Sequence, residues 1–399
     1  MIGRFTSTGG FRTVVGRGRL AILVTFVTLT ASAASASLPI LGASPWGGWA
    51  IEIVEPGDVP SILPVRLGIT SAGDPAVTYT ALDPSTGHYS LWLAERSGLT
   101  WSRDVIEPLG ITAGVEIQGS AVHMAYIKDG DVYWTKRDGS TVVTEIAYDY
   151  EACSVLYAEL VVRSDGEPTI IVSDGCSFFS VHRSGGTWTK ETIESALVVT
   201  PDAVIDSLDR IHVAGWRYNV DQCRYAVRTA PGVWVKETVQ GCRASNTIAV
   251  DSQNNPHLAS LSYADGFVYL HKDATGWHRE IIGDVWNQNL RVPINRAYFT
   301  SIAVDTDDLP HILYCERPGA PNDPTANTHT KYATKISDGW SYETVDSSGV
   351  DPCRGADLKL DSNGRPHVAY LFGGVVHPSI VTEWDVRYVH PVAALVPDL

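Results

Sequence analysis

Asp361-Ser362-Asn363-Gly364-Arg365-Pro366-His367-Val368-Ala369-Tyr370 is a segment that recurs, with substitutions, along most of the 399-residue chain. Two nearby copies begin at Asp251 and Asp305. A third copy begins at Asp206 and has Ile211 in place of the proline. Recurrence at a regular spacing indicates an architecture built from copies of one structural unit.

Seven copies align on the position of Pro366. The aligned residues are Pro75, Val122, Pro168, Ile211, Pro256, Pro310 and Pro366, at successive spacings of 47, 46, 43, 45, 54 and 56 residues. The repeat predicts four short strands: an alternating strand, a His-Val-Ala-Tyr strand after the Asp turn, an aromatic strand, and a Gly-x-Trp-x-x-Glu-x-Val strand. The second copy departs from this pattern, because its fourth segment, Thr141 to Ile146, has no Trp. Repeats of this length and strand content are typical of propeller blades.

The seventh copy has no fourth strand, because only residues 391–399 follow its third one. The missing segment lies at the other end of the chain, where Gly47 to Val54 has the fourth-strand pattern. An N-terminal strand that completes the last blade closes the ring and hides a sheet edge. The sequence therefore predicts an all-β, seven-bladed β-propeller over residues 47–399, with strand 47–54 in blade 7.

The segment from Asp361 to Tyr370 and the Gly-x-Trp-x-x-Glu-x-Val segment give the chain a resemblance to a known group. With both, it resembles secreted bacterial propeller-repeat proteins of the broad sialidase-like and propeller-lectin group. The resemblance covers nearly all of the chain after residue 46 and implies the propeller fold. The sialidase Asp-box, Ser-x-Asp-x-Gly-x-x-Trp, joins the third and fourth strands, whereas the Asp turn here joins the first and second. The resemblance thus concerns fold more than activity.

The N-terminus has the composition of a secretory signal peptide. Four arginines precede the apolar run from Leu20 to Leu29, and a small-residue stretch ends at Ala36. We predict a signal peptide over residues 1–36, cleaved after Ala36 or alternatively after Ala33, and a linker over 37–46. The predicted location is extracellular or periplasmic, with no membrane span.

The charge balance restricts the partners. The chain carries a net charge of −15, and removing a signal with four Arg and no acidic residues gives −15 − 4 = −19. An acidic protein is a poor partner for nucleic acid or for an anionic membrane. We expect a monomer whose partner is a glycan or an extracellular protein.

All six cysteines fall in blade-to-blade loops or beside second strands, which share one rim of a propeller. Adjacency along this rim predicts the pairs Cys153-Cys176, Cys223-Cys242 and Cys315-Cys353. An even cysteine count after a signal peptide fits an oxidising compartment. No Cys-x-x-Cys spacing occurs, so we predict no metal site at these residues.

A histidine recurs at one position of five copies, namely His123, His212, His257, His311 and His367. Equivalent positions in different blades lie around a ring and do not converge. We therefore assign these histidines to hydrogen bonds within their own blades and not to catalysis or metal binding.

A polar row is predicted inside the ring, because first strands line the central channel. The row lies four residues before the position that Asp361 occupies in its copy of the repeat. Six copies have a polar or charged residue there, namely Arg66, Glu159, Asp202, Thr247, Ser301 and Asp357, and the second copy has Ala113. Such a row could hold a cation such as calcium, bind sugar hydroxyls, or surround only water. No other cofactor is predicted.

Three long insertions on the loop-bearing rim, at residues 284–300, 317–330 and 372–384, suggest a binding site over blades 5 to 7, with neutral surface variation as the alternative. The candidate ligand-binding residues are Trp286, Arg291, Arg296, Tyr298, Glu316, Arg317, Arg354 and Trp384. We predict glycan or protein binding without catalysis. The alternative is a sialidase-like glycoside hydrolase or another glycan-cleaving enzyme. In a sialidase-like site, an arginine cluster would hold a carboxylate.

Overall fold

The computed structural model describes residues 46–57, 59, 64–150, 153–217, 222–262, 265–282, 300–316, 329–336, 339–348, 351–374 and 383–392, all within one compact unit. The side chains of residues 244, 245, 351–354, 374 and 383 are not included in this description. Strands account for all the regular secondary structure of these residues. They include no helix of the length and apolarity needed to cross a bilayer.

The described residues form 28 strands. In order they are β1 Trp49–Glu55, β2 Arg66–Ile69, β3 Pro75–Asp83, β4 His88–Ser97, β5 Thr100–Pro108, β6 Ile111–Gln118, β7 Ala121–Lys128, β8 Asp131–Asp138, β9 Thr141–Tyr148, β10 Val155–Val162, β11 Pro168–Asp174, β12 Phe178–Ser184, β13 Thr187–Glu194, β14 Val198–Ile205, β15 Ile211–Arg217, β16 Gln222–Ala230, β17 Val233–Gln240, β18 Ala244–Val250, β19 Pro256–Ser262, β20 Gly266–Asp273, β21 Gly276–Ile281, β22 Thr300–Val304, β23 Pro310–Glu316, β24 His329–Ile336, β25 Gly339–Asp346, β26 Asp351–Leu360, β27 Pro366–Gly374 and β28 Glu383–Pro391.

These strands form seven four-stranded antiparallel sheets, which are the blades of a seven-bladed β-propeller. Blades 1 to 6 are β2–β5, β6–β9, β10–β13, β14–β17, β18–β21 and β22–β25, each in sequence order. The first strands contact one another around the ring, and β2 contacts β26 to complete it. We call the end of the ring that carries the blade-to-blade and second-to-third-strand connections the loop rim. The opposite end, which carries the turns between the first and second strands and between the third and fourth strands, is the turn rim.

Strand β1 closes the seventh blade. The sheet order is β1-β28-β27-β26, so Trp49 lies in the same sheet as His367. β1 runs antiparallel to β28, with Trp49 opposite Pro391 and Glu52 opposite Tyr388. The closure predicted from the sequence is confirmed, with the strand spanning Trp49–Glu55 where 47–54 was predicted.

The carboxylate of the turn Asp accepts hydrogen bonds from backbone N–H groups of the same turn. One oxygen of Asp361, Oδ1, accepts the N–H groups of Asn363 and Arg365, both at 2.8 Å. Because the carboxylate satisfies these turn donors, the chain can reverse direction within five residues.

The repeated histidines bind within their own blades, as predicted. His212 Nε2 lies 3.0 Å from Asp206 Oδ2, and His212 Nδ1 lies 2.8 Å from the Tyr225 hydroxyl. His257, His311 and His367 contact their own turn Asp and third-strand Tyr in the same way. Burial lowers the pKa of His212, which keeps its imidazole neutral near pH 7.

Blade 2 is the exception. His123 is fully buried, and within the described part of the chain neither of its ring nitrogens has a hydrogen-bond partner. Gln118 stands where the turn Asp stands in blades 4 to 7, and Trp134 stands where those blades have the tyrosine. Burial lowers the pKa of His123 to about 4, so the side chain acts as a neutral core residue.

Two of the predicted disulfides are confirmed. Cys153 bonds to Cys176 and Cys223 to Cys242, with Cα–Cα distances of 6.0 and 5.6 Å. Both bonds lie at the loop rim. Cys153–Cys176 joins two connections there, and Cys223, the second residue of β16, bonds to the connection that follows β17. Cys315 is also disulfide-bonded, while the side chain of its predicted partner, Cys353, lies outside the described residues.

Candidate functional site in the central channel

Most of the candidate residues on the loop rim lie outside the described residues. These are Trp286, Arg291, Arg296, Tyr298 and Arg317. Arg354 is described only by its backbone, which pairs with Leu371 in blade 7. A ligand site built from these residues therefore stays a prediction.

Two further candidates are placed. Glu316, at the end of β23, forms an ion pair with Lys331 at 3.3 Å on the loop rim. Trp384 is only 5% exposed and packs in the core with Leu371 and Val386. With its ring buried in this way, Trp384 presents no free face on which a sugar could stack.

The predicted channel row brings charged residues of different blades together. Arg66, the first residue of β2, donates from Nη2 to Glu159 Oε2 at 2.7 Å and from Nε to the Ala113 carbonyl at 3.0 Å. The two side chains are mostly buried, with exposed fractions of 22% and 10%. An arginine of blade 1 thus reaches over blade 2 to a carboxylate of blade 3.

Gly114 makes this reach possible. The sequence assigned the blade 2 position of the row to Ala113, and this was wrong. The turn of blade 2 is one residue shorter, so Gly114 pairs with Ala125 where Asp357 pairs with Ala369 in blade 7. A Cβ at Gly114 would lie 3.2 Å from Glu159 Oε1.

The other acidic residues of the row bond to the neighbouring blade. Asp202 Oδ2 accepts the backbone N–H of Ile248 at 2.7 Å, and Asp357 Oδ2 accepts that of Leu67 at 2.9 Å. Ser301 does the same for Leu358, again at 2.9 Å. Each of these side chains therefore helps to hold two adjacent inner strands together.

A second pair of oppositely charged side chains lies two residues after the channel row along the inner strands, toward the turn rim. Lys359 of blade 7 binds Glu116 of blade 2 at 3.1 Å. The equivalent residue of the intervening blade 1 is Gly68, where a Cβ would lie 2.8 Å from Ile117 Cγ1. Here too a glycine separates two blades whose charged side chains meet.

The buried charges shift one another's protonation. Burial raises the pKa of Glu159 to about 8, against the attraction of Arg66 and with added repulsion from Asp202. Burial likewise raises the pKa of Asp202 to about 6. Burial opposes the charge on Arg66, but the nearby carboxylates outweigh it and raise its pKa. The channel therefore holds a permanent guanidinium beside carboxyl groups that titrate close to neutral pH.

The arrangement can bind a polar ligand on the loop-rim side. Hydroxyl and carboxyl groups of Thr247, Ser301, Asp202 and Asp357 accept hydrogen bonds, and Arg66 donates them. Sequence reasoning found the row but missed Gly114 and the Lys359-Glu116 pair. The sequence did contain a signal for this pair. Two residues after the row, blade 7 has the charged Lys359 and blade 1 has Gly68, which has no side chain.

Comparison with known proteins supports the fold. No protein-family model and no curated protein sequence matches this chain. Among solved structures, an ulvan lyase described as a new polysaccharide lyase family is 11% identical over 86% of this chain and 95% of its own, with a TM-score of 0.56. YCF48 bound to a D1 peptide is 10% identical over 91% and 100%, with a TM-score of 0.52. A fungal alcohol oxidase with copper is 11% identical over 87% and 76%, with a TM-score of 0.51.

Proposed function

We propose that this protein is an extracellular ligand-binding propeller that recognises a glycan at its loop rim, over the mouth of the central channel. The observation that carries the proposal is the channel row itself. Arg66, Glu159, Asp202 and Asp357 place one cation among three carboxyl groups, with hydroxyls of Thr247 and Ser301 in the same row.

This chemistry suits a ligand rich in hydroxyl groups. A sugar hydroxyl donates one hydrogen bond and accepts others, so it can pair with a carboxylate and a guanidinium together. The solved structures with this fold carry a polysaccharide lyase activity in one case and a peptide in another. The choice of a glycan over a protein ligand therefore rests on this chain's own residues.

Two features support an extracellular location. Both described disulfides lie at the loop rim, and disulfides persist in oxidising compartments. The N-terminal sequence carries the signal-peptide pattern of a positively charged start, an apolar run and small residues up to Ala36.

The net negative charge of the protein favours a neutral or basic ligand.

The hydrolase alternative depends on residues that the structure does not describe. Its arginine cluster would consist of Arg291, Arg296, Arg317 and Arg354, and none of their side chains is described. It remains the second candidate because an arginine cluster is the group that holds a sugar carboxylate in such enzymes. A preference for acidic sugars, with release of product, would favour it.

The test is binding of the mature protein to a broad glycan array, with and without a calcium chelator. At a pH above the raised pKa of Glu159, Glu159→Gln should weaken a specific signal, because the neutral amide keeps the size of the side chain and removes the charge that it carries there. Thr187→Ala, on an exposed outer-strand position, is the control for handling and stability. The Arg291→Ala/Arg317→Ala double variant separates a site over blades 5 and 6 from one at the channel mouth.

Four outcomes are decisive. A signal lost in Glu159→Gln and kept in the double variant supports the channel mouth. Loss only in the double variant moves the site to the insertions. No glycan signal from folded protein would reject glycan binding in favour of a protein ligand, and a signal lost on chelation would place a cation in the site.

A further inference from the structure

Blade 5 carries a cluster of potential metal ligands on its outer hairpin. His271 and Asp273 lie two residues apart on β20, and His278 lies directly opposite His271 on β21. Side chains at i and i+2 of a strand share a face, and cross-strand partners on that face are neighbours. One ligand atom of each residue lies within 4.8 Å of the others.

We propose that His271, Asp273 and His278 form a binding site for one divalent transition-metal ion, with zinc as the best match. Two imidazole nitrogens and one carboxylate oxygen are a common zinc ligand set, at about 2.0–2.2 Å from the metal. Three protein ligands leave a fourth position open for water or for a group of a second molecule. The site lies toward the turn rim, away from the loop rim of the proposed glycan site.

Hydrogen bonding leaves one ligand available. His271 Nδ1 is buried, and within the described residues it has no hydrogen-bond partner. His278 Nε2 and Asp273 Oδ1 already approach to 3.0 Å. His271 and His278 stack with ring centroids 5.0 Å apart, so binding one metal requires their rings to turn out of the stack until one nitrogen of each faces the ion.

The charges around the site are compatible with a cation. Burial lowers the pKa of His271, so this imidazole is neutral and can coordinate near pH 7. A hydrogen bond from Thr275 is the main cause of a lowered pKa at Asp273, which keeps that group ionised. The nearby Lys335 forms an ion pair with Glu280, and this carboxylate offsets part of its positive charge at His271.

The other blades serve as an internal comparison. The cross-strand pair equivalent to His271 and His278 has at most one histidine elsewhere. The equivalent pairs are Glu95 and Ser102, Lys136 and Val143, His182 and Thr189, Val227 and Val235, Thr334 and Ser341, and His390 and Ala50. Fold maintenance therefore does not require two histidines here.

A structural alternative exists for part of the cluster. Thr275 donates its backbone N–H to Asp273 Oδ1 at 2.7 Å, and its hydroxyl lies 2.8 Å from His278 Nε2. These contacts close the hairpin turn without any metal, but they do not involve His271, whose ring stacks on Tyr269 and His278. Thr275→Ala removes the hydroxyl and keeps all three proposed ligands, so it separates the two roles.

The experiment is titration of untagged, chelator-treated protein with zinc chloride, followed by calorimetry and by metal content after dialysis. We expect one zinc ion per chain in the wild type, in Thr275→Ala and in the exposed-histidine control His88→Ala. His278→Ala and Asp273→Ala should each lower the affinity roughly tenfold or more, since even lost outer-shell partners cost that much. Cobalt should give visible absorption that the same two variants abolish.

Circular dichroism confirms that each variant is folded before titration. Absence of stoichiometric zinc binding by the wild type would overturn the proposal. Equal affinity in His278→Ala, or loss of binding in His88→Ala, would overturn the assignment to blade 5.

Discussion

The indole N–H of Trp101 in blade 1 donates to Glu52 Oε2 on β1 of blade 7, at 2.9 Å. Arg96 of blade 1 binds both oxygens of the same carboxylate, at 2.7 and 3.0 Å. Equivalent Trp-to-Glu bonds join neighbouring blades elsewhere, at Trp188-Glu145, Trp234-Glu191, Trp277-Glu237, Trp340-Glu280 and Trp49-Glu343. The Trp-x-x-Glu spacing thus lets the outer strands β1, β13, β17, β21 and β25 bind one neighbour through Trp and the other through Glu. In the other two, β5 has Asp104 at the Glu position and β9 has Val142 at the Trp position.

Glu52→Ala should destabilise the fold by about 1–3 kcal/mol, because it leaves the Trp101 and Arg96 donors without their acceptor. Urea denaturation measures the loss against the exposed-site control Thr187→Ala, which should stay within about 0.5 kcal/mol of the wild type. Equal stability of the two variants would show that the N-terminal strand contributes little to closure.

Gly114→Ala should destabilise the protein by about 1–3 kcal/mol or more, as overpacked interiors do. Its Cβ would lie 2.8 Å from the backbone nitrogen of Leu160, which cannot move without shifting an inner strand. Gly175→Ala is the control, because a Cβ there approaches nothing closer than 4.0 Å. Thermal unfolding of both variants checks the difference.

Glu159 should make stability fall as pH rises. Its pKa is raised from 4.5 to about 8 in the folded state, so between these values the folded chain holds a proton that the unfolded chain has lost. The contribution is fully present below about pH 4.5 and disappears toward pH 8.

Glu159→Gln tests this assignment, because glutamine cannot titrate. Denaturation at several pH values from 5 to 8 should show the wild type losing stability relative to the variant. A constant difference across that range would contradict the raised pKa. Arg66 keeps a hydrogen-bond acceptor in the variant, so the comparison isolates the charge.

His123→Leu should leave stability nearly unchanged or increase it, since neither buried nitrogen has a described partner. His212→Leu should cost about 1–3 kcal/mol, because it leaves the buried Asp206 carboxylate and the Tyr225 hydroxyl with one partner fewer. Chemical denaturation of the two variants provides the comparison. A larger loss for His123→Leu would mean that its imidazole has a polar role.

Much of the channel row could be predicted from the repeat. Arg66, Glu159, Asp202 and Asp357 were found by counting back from each turn. The same count failed in blade 2, because its turn has one residue fewer and moves the register from Ala113 to Gly114. Trp384 was predicted on the rim from its place after an insertion, whereas its burial depends on how neighbouring blades pack.

The sequence by itself determined the fold: seven spaced copies, a missing last strand and a matching N-terminal segment permit only one closed ring. It also determined two confirmed disulfides and the role of the repeated histidines, since these depend on contacts within a blade or along one rim. Tertiary structure alone decided which charges meet. Lys359 and Glu116, and the pair Arg66 and Glu159, belong to blades that are not adjacent, and they touch because glycines in the intervening inner strands leave room.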